Sequence, residues 1–334
     1  MDQPAATSRL IGPRMLLAAA AALAFAVIVL GAYVRLADAG LGCPDWPGCY
    51  GQLVGVPETD AAGMPIDATR AWIEVSHRYL AALLGLLILA AVASAFLRPA
   101  PGRERVLAAT LLAMVCAQGL LGALTVTERL MPAIVAAHLI GGMLILALLA
   151  AYCARTFLPA PAVAAGGRRL QMLLVGAALA LFGQLFLGVW VSANYAALAC
   201  GIEYPTCNGD WVPDAGNWEA LALNRQLGET SSGAPVSGAA LETVHWLHRI
   251  GAATALVALA AAVWGLAAAG LKKAAIALAG ALSLQFGLGI ATVMSALALP
   301  VALAHNAGAA LLVIALAAAS APVFLAPASP AAVK

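Results

Sequence analysis

The sequence predicts an all-α integral membrane protein in which eight transmembrane helices form two four-helix bundles related by a pseudo-twofold axis. Of its 334 residues, 63% are hydrophobic and only 10% are charged, whereas a soluble domain carries about a quarter charged residues. Glycine is frequent and aromatic residues make up only 6%, which favours closely packed helices over a barrel of alternating strands. The net charge of +2 gives no indication of a nucleic-acid binder.

Eight segments are long and apolar enough to be spans, since about 20 apolar residues cross a hydrocarbon core of about 30 Å. They are residues 15–34, 79–97, 106–127, 130–154, 170–193, 250–271, 274–296 and 299–322. Polar lead-ins from residues 72 and 244 precede the second and sixth spans. Only Pro300 and the combined length indicate a turn between the last two. Residues 37–39 resemble a signal-peptide cleavage site, but the long apolar stretch before them favours a retained first span.

The charged residues predict the orientation of these spans. With the N-terminus inside, most of the 17 basic residues fall in inner segments and most of the 15 acidic residues fall in outer loops. Lys and Arg are enriched in cytoplasmic loops. We therefore expect both termini to be cytoplasmic.

Motifs recur in the same order in two halves, which we place at residues 1–160 and 161–334. Residues 118–126 (QGLLGALTV) read almost like residues 285–293 (QFGLGIATV). Each of these segments begins with a glutamine that precedes a histidine by 20 residues. A His-Arg pair opens the second and the sixth span, and two cysteines precede each pair. Four helices followed by four in the same orientation predict a parallel repeat about an axis along the membrane normal.

Four of the five histidines lie near the outer ends of the even-numbered spans, namely His77, His138, His248 and His305. Ionisable residues inside spans are commonly functional, and their equivalent positions favour ligands over packing residues. Zinc normally takes three or four protein ligands, whereas haem takes one axial nitrogen per face and fits between helices. We therefore predict one haem-sized site in each half.

Charged residues and cysteines near these histidines have predicted roles of their own. Arg78 and Arg249 could hold haem propionates, or could simply reach for the membrane interface. The cysteines of the two long outer loops lie on the side of the membrane where disulfides persist. We predict two local disulfides, Cys43–Cys49 and Cys200–Cys207.

The chain resembles the haem A synthases of bacterial and mitochondrial inner membranes over nearly its whole length. The resemblance is carried by residues 42–49 (GCPDWPGC), 74–78 (EVSHR), 137–138 (AH), 248–249 (HR) and 304–306 (AHN). It implies that His248 and His305 ligate a haem b cofactor, while His77 and His138 face the substrate haem O. In that family a methyl group of haem O is oxidised to a formyl by successive hydroxylations, which gives haem A for cytochrome oxidase.

The resemblance also implies the setting of the reaction. We expect a multi-pass protein of the bacterial plasma (inner) membrane with its haem sites towards the outer side of the lipid bilayer. Expected partners are a haem O synthase and an electron donor, either ferredoxin-like or a quinol, with homo-oligomers as a further possibility and no nucleic acid. The Cys43–Cys49 pair would then take part in catalysis or redox control as well as stapling a loop.

The two halves differ at one position beside the histidines. Glu74 lies three residues before His77 and on the same face of the helix, while His245 stands at the matching position of the second half. A carboxylate beside an iron ligand can move protons or stabilise developing positive charge. It could also be a carboxylate favoured by the helix dipole. We predict that Glu74 is catalytic, together with His77 and His138.

Two other functions share most of these features. A di-haem transmembrane b-type cytochrome that carries electrons from quinol would need the four histidines but not Glu74. A transporter or assembly scaffold with a parallel repeat would use the histidines for substrate or protons.

Overall fold

The computed structural model describes residues 12–97, 102–158, 167–213 and 217–324. Its long helices are α1 (Pro13–Leu36), α2 (Ala68–Leu97), α3 (Gly102–Thr127), α4 (Pro132–Phe157), α5 (Arg168–Ala193), α6 (Gly238–Ala268), α7 (Lys272–Met294) and α8 (Leu299–Phe324). A 3-10 helix spans Glu219–Leu221. Within the described ranges, strand-like pairing is limited to four isolated bridges in the loops. All eight long helices are apolar enough to cross a membrane, so the predicted all-helical membrane fold is confirmed.

Helices α2 and α6 begin earlier in the chain than their apolar segments indicate. A polar side chain caps each start: Asp67 accepts a hydrogen bond from the backbone N–H of Arg70 (3.1 Å), and Ser237 accepts one from that of Ala240 (3.3 Å). Such caps satisfy backbone donors that the first helical turn leaves unpaired. The polar lead-ins to the second and sixth spans are therefore helical turns, and they carry the His-Arg pairs.

The short connections α3–α4 and α7–α8 have the same backbone conformation. Arg129 and Leu130 have φ values of 49° and 60°, and Ala296 and Leu297 have φ values of 50° and 64°. Two successive left-handed residues are uncommon outside glycine, and here they end one helix and reverse the chain into the next. The predicted turn between the last two spans is confirmed.

Helices within each half contact one another in a closed ring. Helix α1 contacts α2 and α4, and α3 contacts both of the same helices; α5 to α8 repeat this arrangement. Between the halves, α4 contacts α8, α1 contacts α8, and α4 contacts α5. Helices α4 and α8 are equivalent, and so are α1 and α5, so each half uses the same helices at the contact. An isologous interface has this property. The contacts therefore favour the twofold relation, which stays a prediction.

Three features of the predicted organisation fall outside the described part of the chain. The boundary between the halves, at residues 160 and 161, lies in one undescribed range, and both chain ends lie in others. The division of the chain and the cytoplasmic placement of its termini therefore stay predictions.

Small and aliphatic side chains fill the interior, and larger apolar side chains cover the outside. Ala20, Leu111 and Leu259 are among the buried residues of one continuous core. Leu86 and Val257 point outward and are 62% and 71% exposed. Exposed apolar surface of this extent fits contact with lipid chains. With the length and composition of its helices, the protein is a multi-pass membrane protein.

Candidate functional site

Each histidine of the four even-numbered helices packs against a glycine of the preceding helix. His77 of α2 faces Gly31 of α1 so closely that a Cβ atom added to the glycine would lie 2.9 Å from Cε1 of the imidazole. The other pairs are Gly122 with His138, Gly188 with His248 and Gly289 with His305, at 3.4, 3.1 and 3.1 Å. Carbon atoms pack best at about 3.5–4.0 Å. Glycine therefore allows these rings to lie against the neighbouring helix.

The two histidines of each half lie near each other, so the structure brings together the pairs that the sequence singled out. The imidazoles of His77 and His138 are close enough to interact electrostatically, as are those of His248 and His305. Among the described residues, no group of three or more His, Cys, Asp or Glu side chains is placed so that it could hold a metal ion. Two imidazoles per half suit a group with two axial positions better than a tetrahedral metal ion.

Glutamine side chains contact the two histidines of the C-terminal half. Nε2 of Gln184 lies 2.9 Å from Nδ1 of His248, and it donates to the backbone carbonyl of the same histidine at 3.0 Å. Nε2 of Gln285 lies 3.3 Å from Nδ1 of His305. A hydrogen bond at Nδ1 fixes the ring orientation. With the amide oxygen in the place of its nitrogen, Nδ1 would carry the ring proton and Nε2 would be free for a ligand.

Several polar atoms around the four rings are buried without a hydrogen-bond partner among the described residues. They are Nδ1 of His77, Nδ1 of His138, Oε1 of Gln184 and Oε1 of Gln285. Such groups are rare in native structures. Unpaired ring atoms, paired imidazoles and glycines that let the rings lie against the neighbouring helix together fit a haem in each half.

Glu74 ties the first disulfide loop to helix α2. Its side chain is buried, and Oε2 accepts a hydrogen bond from the backbone N–H of Cys43 at 2.9 Å. Its Oε1 forms an ion pair with Arg78, one helical turn further on. Arg78 in turn donates to the carbonyl oxygens of Asp45 (2.9 Å) and Gly48. The carboxylate that the sequence placed beside His77 is therefore also the anchor of the loop above it.

His245 has the same structural role in the second half. Its Nδ1 accepts a hydrogen bond from the backbone N–H of Cys200 at 3.2 Å, as Glu74 does from Cys43. Arg249 donates to the carbonyl oxygens of Thr206 and Gly201. Both site arginines thus hold loop backbone, and their predicted contact with propionates stays a prediction.

The structure joins the cysteines in the two predicted pairs. Cys43 is bonded to Cys49 and Cys200 to Cys207, with Cα–Cα distances of 4.9 and 4.3 Å. All four cysteines are at most 2% exposed. Each disulfide loop contacts the N-terminal part of the helix that carries the first histidine of its half, so it can limit the access of water to the site.

Asp38, just after α1, and Tyr195, just after α5, occupy equivalent positions in the two halves and contact each other. Oη of Tyr195 donates to the carboxylate of Asp38 at 2.6 Å, and the guanidinium of Arg35 lies 3.7 Å from the centre of the Tyr195 ring. Burial and the hydrogen bond to Asp38 raise the pKa of the Tyr195 hydroxyl. This cluster connects the ends of α1 and α5.

Sequence reasoning missed Arg225, which organises the second outer loop. Its side chain is buried and donates to Asn194, to the carbonyl of Ala220 and to the carbonyl of Glu229 at 3.1 Å. The carbonyl of Ala220 also accepts a hydrogen bond from the indole of Trp190 (2.8 Å). No local pattern marks Arg225, because its partners are backbone carbonyls of the loop and the side chain of Asn194, which the fold brings together.

Known proteins resemble this chain over most of its length. Residues 14–317 match the COX15-CtaA family, described as cytochrome oxidase assembly protein. The Heme A synthase of Shewanella oneidensis is 39% identical over 237 residues, which cover 68% of this chain and 70% of the relative. The Heme A synthase of Halalkalibacterium halodurans is 31% identical over 199 residues, and the match covers 61% of its length. The resemblance seen in the motifs is confirmed, and the chain belongs to this family of cytochrome oxidase assembly proteins.

Proposed function

We propose that the protein is a haem A synthase, an oxidoreductase that converts a methyl group of haem O to a formyl by successive hydroxylations. The observation that carries the proposal is the pair of glycine-seated histidines in each half, with a carboxylate at only one of them. The family membership and the names of the relatives support the same reaction, whose product serves cytochrome oxidase.

The differences between the halves support a division of labour. His248 and His305 have side-chain amide partners at Nδ1, as expected for ligands of a permanent haem b. Nδ1 of His77 and of His138 has no hydrogen-bond partner among the described residues, and we assign these two histidines to the substrate. When bound, haem b supplies one-electron transfer to the substrate site. A cofactor must stay through many turnovers, whereas a substrate must enter and leave.

In the proposed reaction, Glu74 takes up or returns a proton at a carboxylate oxygen while the methyl group is oxidised. Its bonds to Cys43 and Arg78 orient it beside His77, because side chains three or four residues apart share a helical face. Arg78 holds the first disulfide loop over the site through the carbonyls of Asp45 and Gly48. The covered site excludes water from the reacting group.

We further propose that both termini are cytoplasmic and that the sites lie towards the outer side of the plasma membrane. The support is the excess of basic residues in the segments that this orientation places inside. The four histidines lie towards the N-terminal ends of their helices, which are the outer ends in this orientation. An electron donor, a ferredoxin-like protein or a quinol, and a haem O synthase would serve the sites. A homo-oligomer is compatible with this arrangement.

Haem analysis tests the proposal directly. The full chain is produced in a host that makes haem O but no haem A, and extracted haems are separated by reversed-phase chromatography. Haem A together with protein-bound haem b is the expected result. Two permanently bound haem b groups without haem A would indicate an electron-carrying cytochrome instead, and a protein without haem would indicate a transporter or scaffold.

A further inference from the structure

Each of the helix pairs α1–α2, α3–α4, α5–α6 and α7–α8 carries one of the four histidines on its second helix, and we call each pair a histidine hairpin. Three of the hairpins have a glutamine on their first helix at a position where the fourth has none. In α3, α5 and α7 a glutamine lies four residues before the glycine that seats the histidine: Gln118, Gln184 and Gln285. In α1 that position is Val27. The backbone carbonyls of Val27, Gln118 and Gln285 all face the ring of their histidine, so Val27 and the glutamines occupy equivalent places.

A second position varies together with the first. Three residues after His138, His248 and His305 stand glycines, and each of them lies directly against the glutamine side chain of its hairpin: Gly141, Gly251 and Gly308. A Cβ at any of these glycines would collide with the amide. Three residues after His77 stands Leu80. The glutamine and the glycine therefore form a unit, and α1–α2 has the apolar pair Val27 and Leu80 instead.

A glutamine amide can accept a hydrogen bond from a histidine that binds iron. An imidazole that binds iron through Nε2 carries its proton on Nδ1, which then needs an acceptor. Within the part of the chain that the structure describes, the buried Oε1 atoms of Gln184 and Gln285 have no partner, and half a turn of the amide brings Oε1 to the place now taken by Nε2. Gln118 lies against Gly141 but makes no hydrogen bond to His138, whose Nδ1 has no partner in the same described residues.

We propose that Gln184 and Gln285 are positioning residues that retain haem in the C-terminal half, and that Val27 and Leu80 make the haem beside His77 exchangeable. This inference rests on the proposed function, because it takes a haem to occupy each half. It explains how two similar sites in one chain differ in residence time: the cofactor site has two amide-supported ligands, and the substrate site has none.

Haem release from the purified full chain tests the first part. The rate of transfer of haem b to excess apomyoglobin is followed by visible absorption for Gln184→Val and Gln285→Val. Loss of a hydrogen-bonding partner behind a metal ligand typically costs about 10–100-fold in affinity, so release accelerates by that factor. Gln171→Val is the matched control, since Gln171 lies on the same helix α5, more than three turns before Gln184. Equal release from Gln184→Val, Gln285→Val and the control would overturn the inference.

A conservative variant separates positioning from packing. Gln184→Met keeps the length and volume of the side chain but removes the acceptor at Nδ1, so it releases haem b faster and raises its midpoint potential relative to the wild type. A purely structural role for Gln184 predicts an unchanged potential, which would contradict the inference. This comparison also decides the matter when Gln184→Val fails to fold.

The reciprocal exchange tests the second part. Val27→Gln combined with Leu80→Gly installs the glutamine and glycine unit beside His77, and it slows release of the faster-leaving haem by about 10-fold or more. An unchanged fast phase would refute the role of Val27 and Leu80. The same experiments distinguish failure of this inference from failure of the proposed function. If the wild-type chain makes no haem A, the proposed function is wrong. If haem A forms but the variants release haem at the rate of their controls, only this inference is wrong.

Discussion

Removal of the Glu74 carboxylate is expected to loosen the first disulfide loop while leaving the second in place. Glu74 is 4% exposed and accepts the backbone N–H of Cys43 at 2.9 Å. A hydrogen bond to a charged group stabilises a structure by about 1.5–3 kcal/mol. Because 1.4 kcal/mol corresponds to a factor of ten, Glu74→Ala raises the population of the open loop by about 10- to 150-fold.

The rate at which a small thiol reduces each disulfide measures this opening. Cys43 and Cys49 are at most 1% exposed, so reduction requires local opening, and its rate follows the open population when the loop recloses quickly. The two disulfides are distinguished by alkylation and mass spectrometry. In Glu74→Ala, reduction of Cys43–Cys49 accelerates while that of Cys200–Cys207 does not change.

A matched variant in the second half provides the control. His245→Ala removes the neutral hydrogen bond to Cys200, which contributes about 0.5–1.5 kcal/mol. It accelerates reduction of Cys200–Cys207 by about 2- to 13-fold and leaves the first disulfide unaffected. Glu74→Gln keeps an acceptor and falls between wild type and Glu74→Ala. Equal reduction rates in wild type and Glu74→Ala would refute the anchoring role.

Three further predictions concern the histidines and the second loop. His248→Ala abolishes bound haem b in the purified protein, and an unchanged visible spectrum would remove His248 from the ligand set. Gly289→Ala places a Cβ about 3.1 Å from Cε1 of His305, so the haem content measured as the pyridine haemochrome falls, whereas Gly280→Ala, at a position with open space, leaves it unchanged. Hydrogen bonds from the backbone and side chain of Ser237 hold the pKa of Glu219 below its usual 4.5. A lowered pKa stabilises the loop at higher pH, and this contribution is lost as the pH falls below about 4.5 through the pKa of the folded state. Hydrogen exchange of the backbone amides of residues 217–221, corrected for the intrinsic pH dependence of exchange, therefore loses protection on acidification more in wild type than in Glu219→Gln, and identical acid responses would contradict this role.

The sequence was sufficient to predict the spans and the histidines because both depend on local composition. An apolar stretch of 20 residues is a helix in a membrane wherever it stands. The early starts of α2 and α6 were not predicted as parts of the spans, because their first turns are polar and are stabilised by the caps Asp67 and Ser237.

Contacts between distant segments account for what the sequence did not reveal. His245 was recognised as the counterpart of Glu74, but its bond to Cys200 joins residues 45 positions apart. The contact between Gln184 and His248 joins residues 64 positions apart. Hydropathy and local spacing report neighbours along one helix, so they could not show which polar groups meet across two.

Helices α4 and α8 contact each other directly, and each carries one of the four histidines. Packed helices lie about 8–10 Å apart from axis to axis. His138 packs towards α3 and His305 towards α7, so the two rings point away from the α4–α8 contact. A substrate held by His138 and a cofactor held by His305 would thus stand on opposite sides of this helix pair, and an electron that passes between the halves would cross the packed side chains and backbone of both helices.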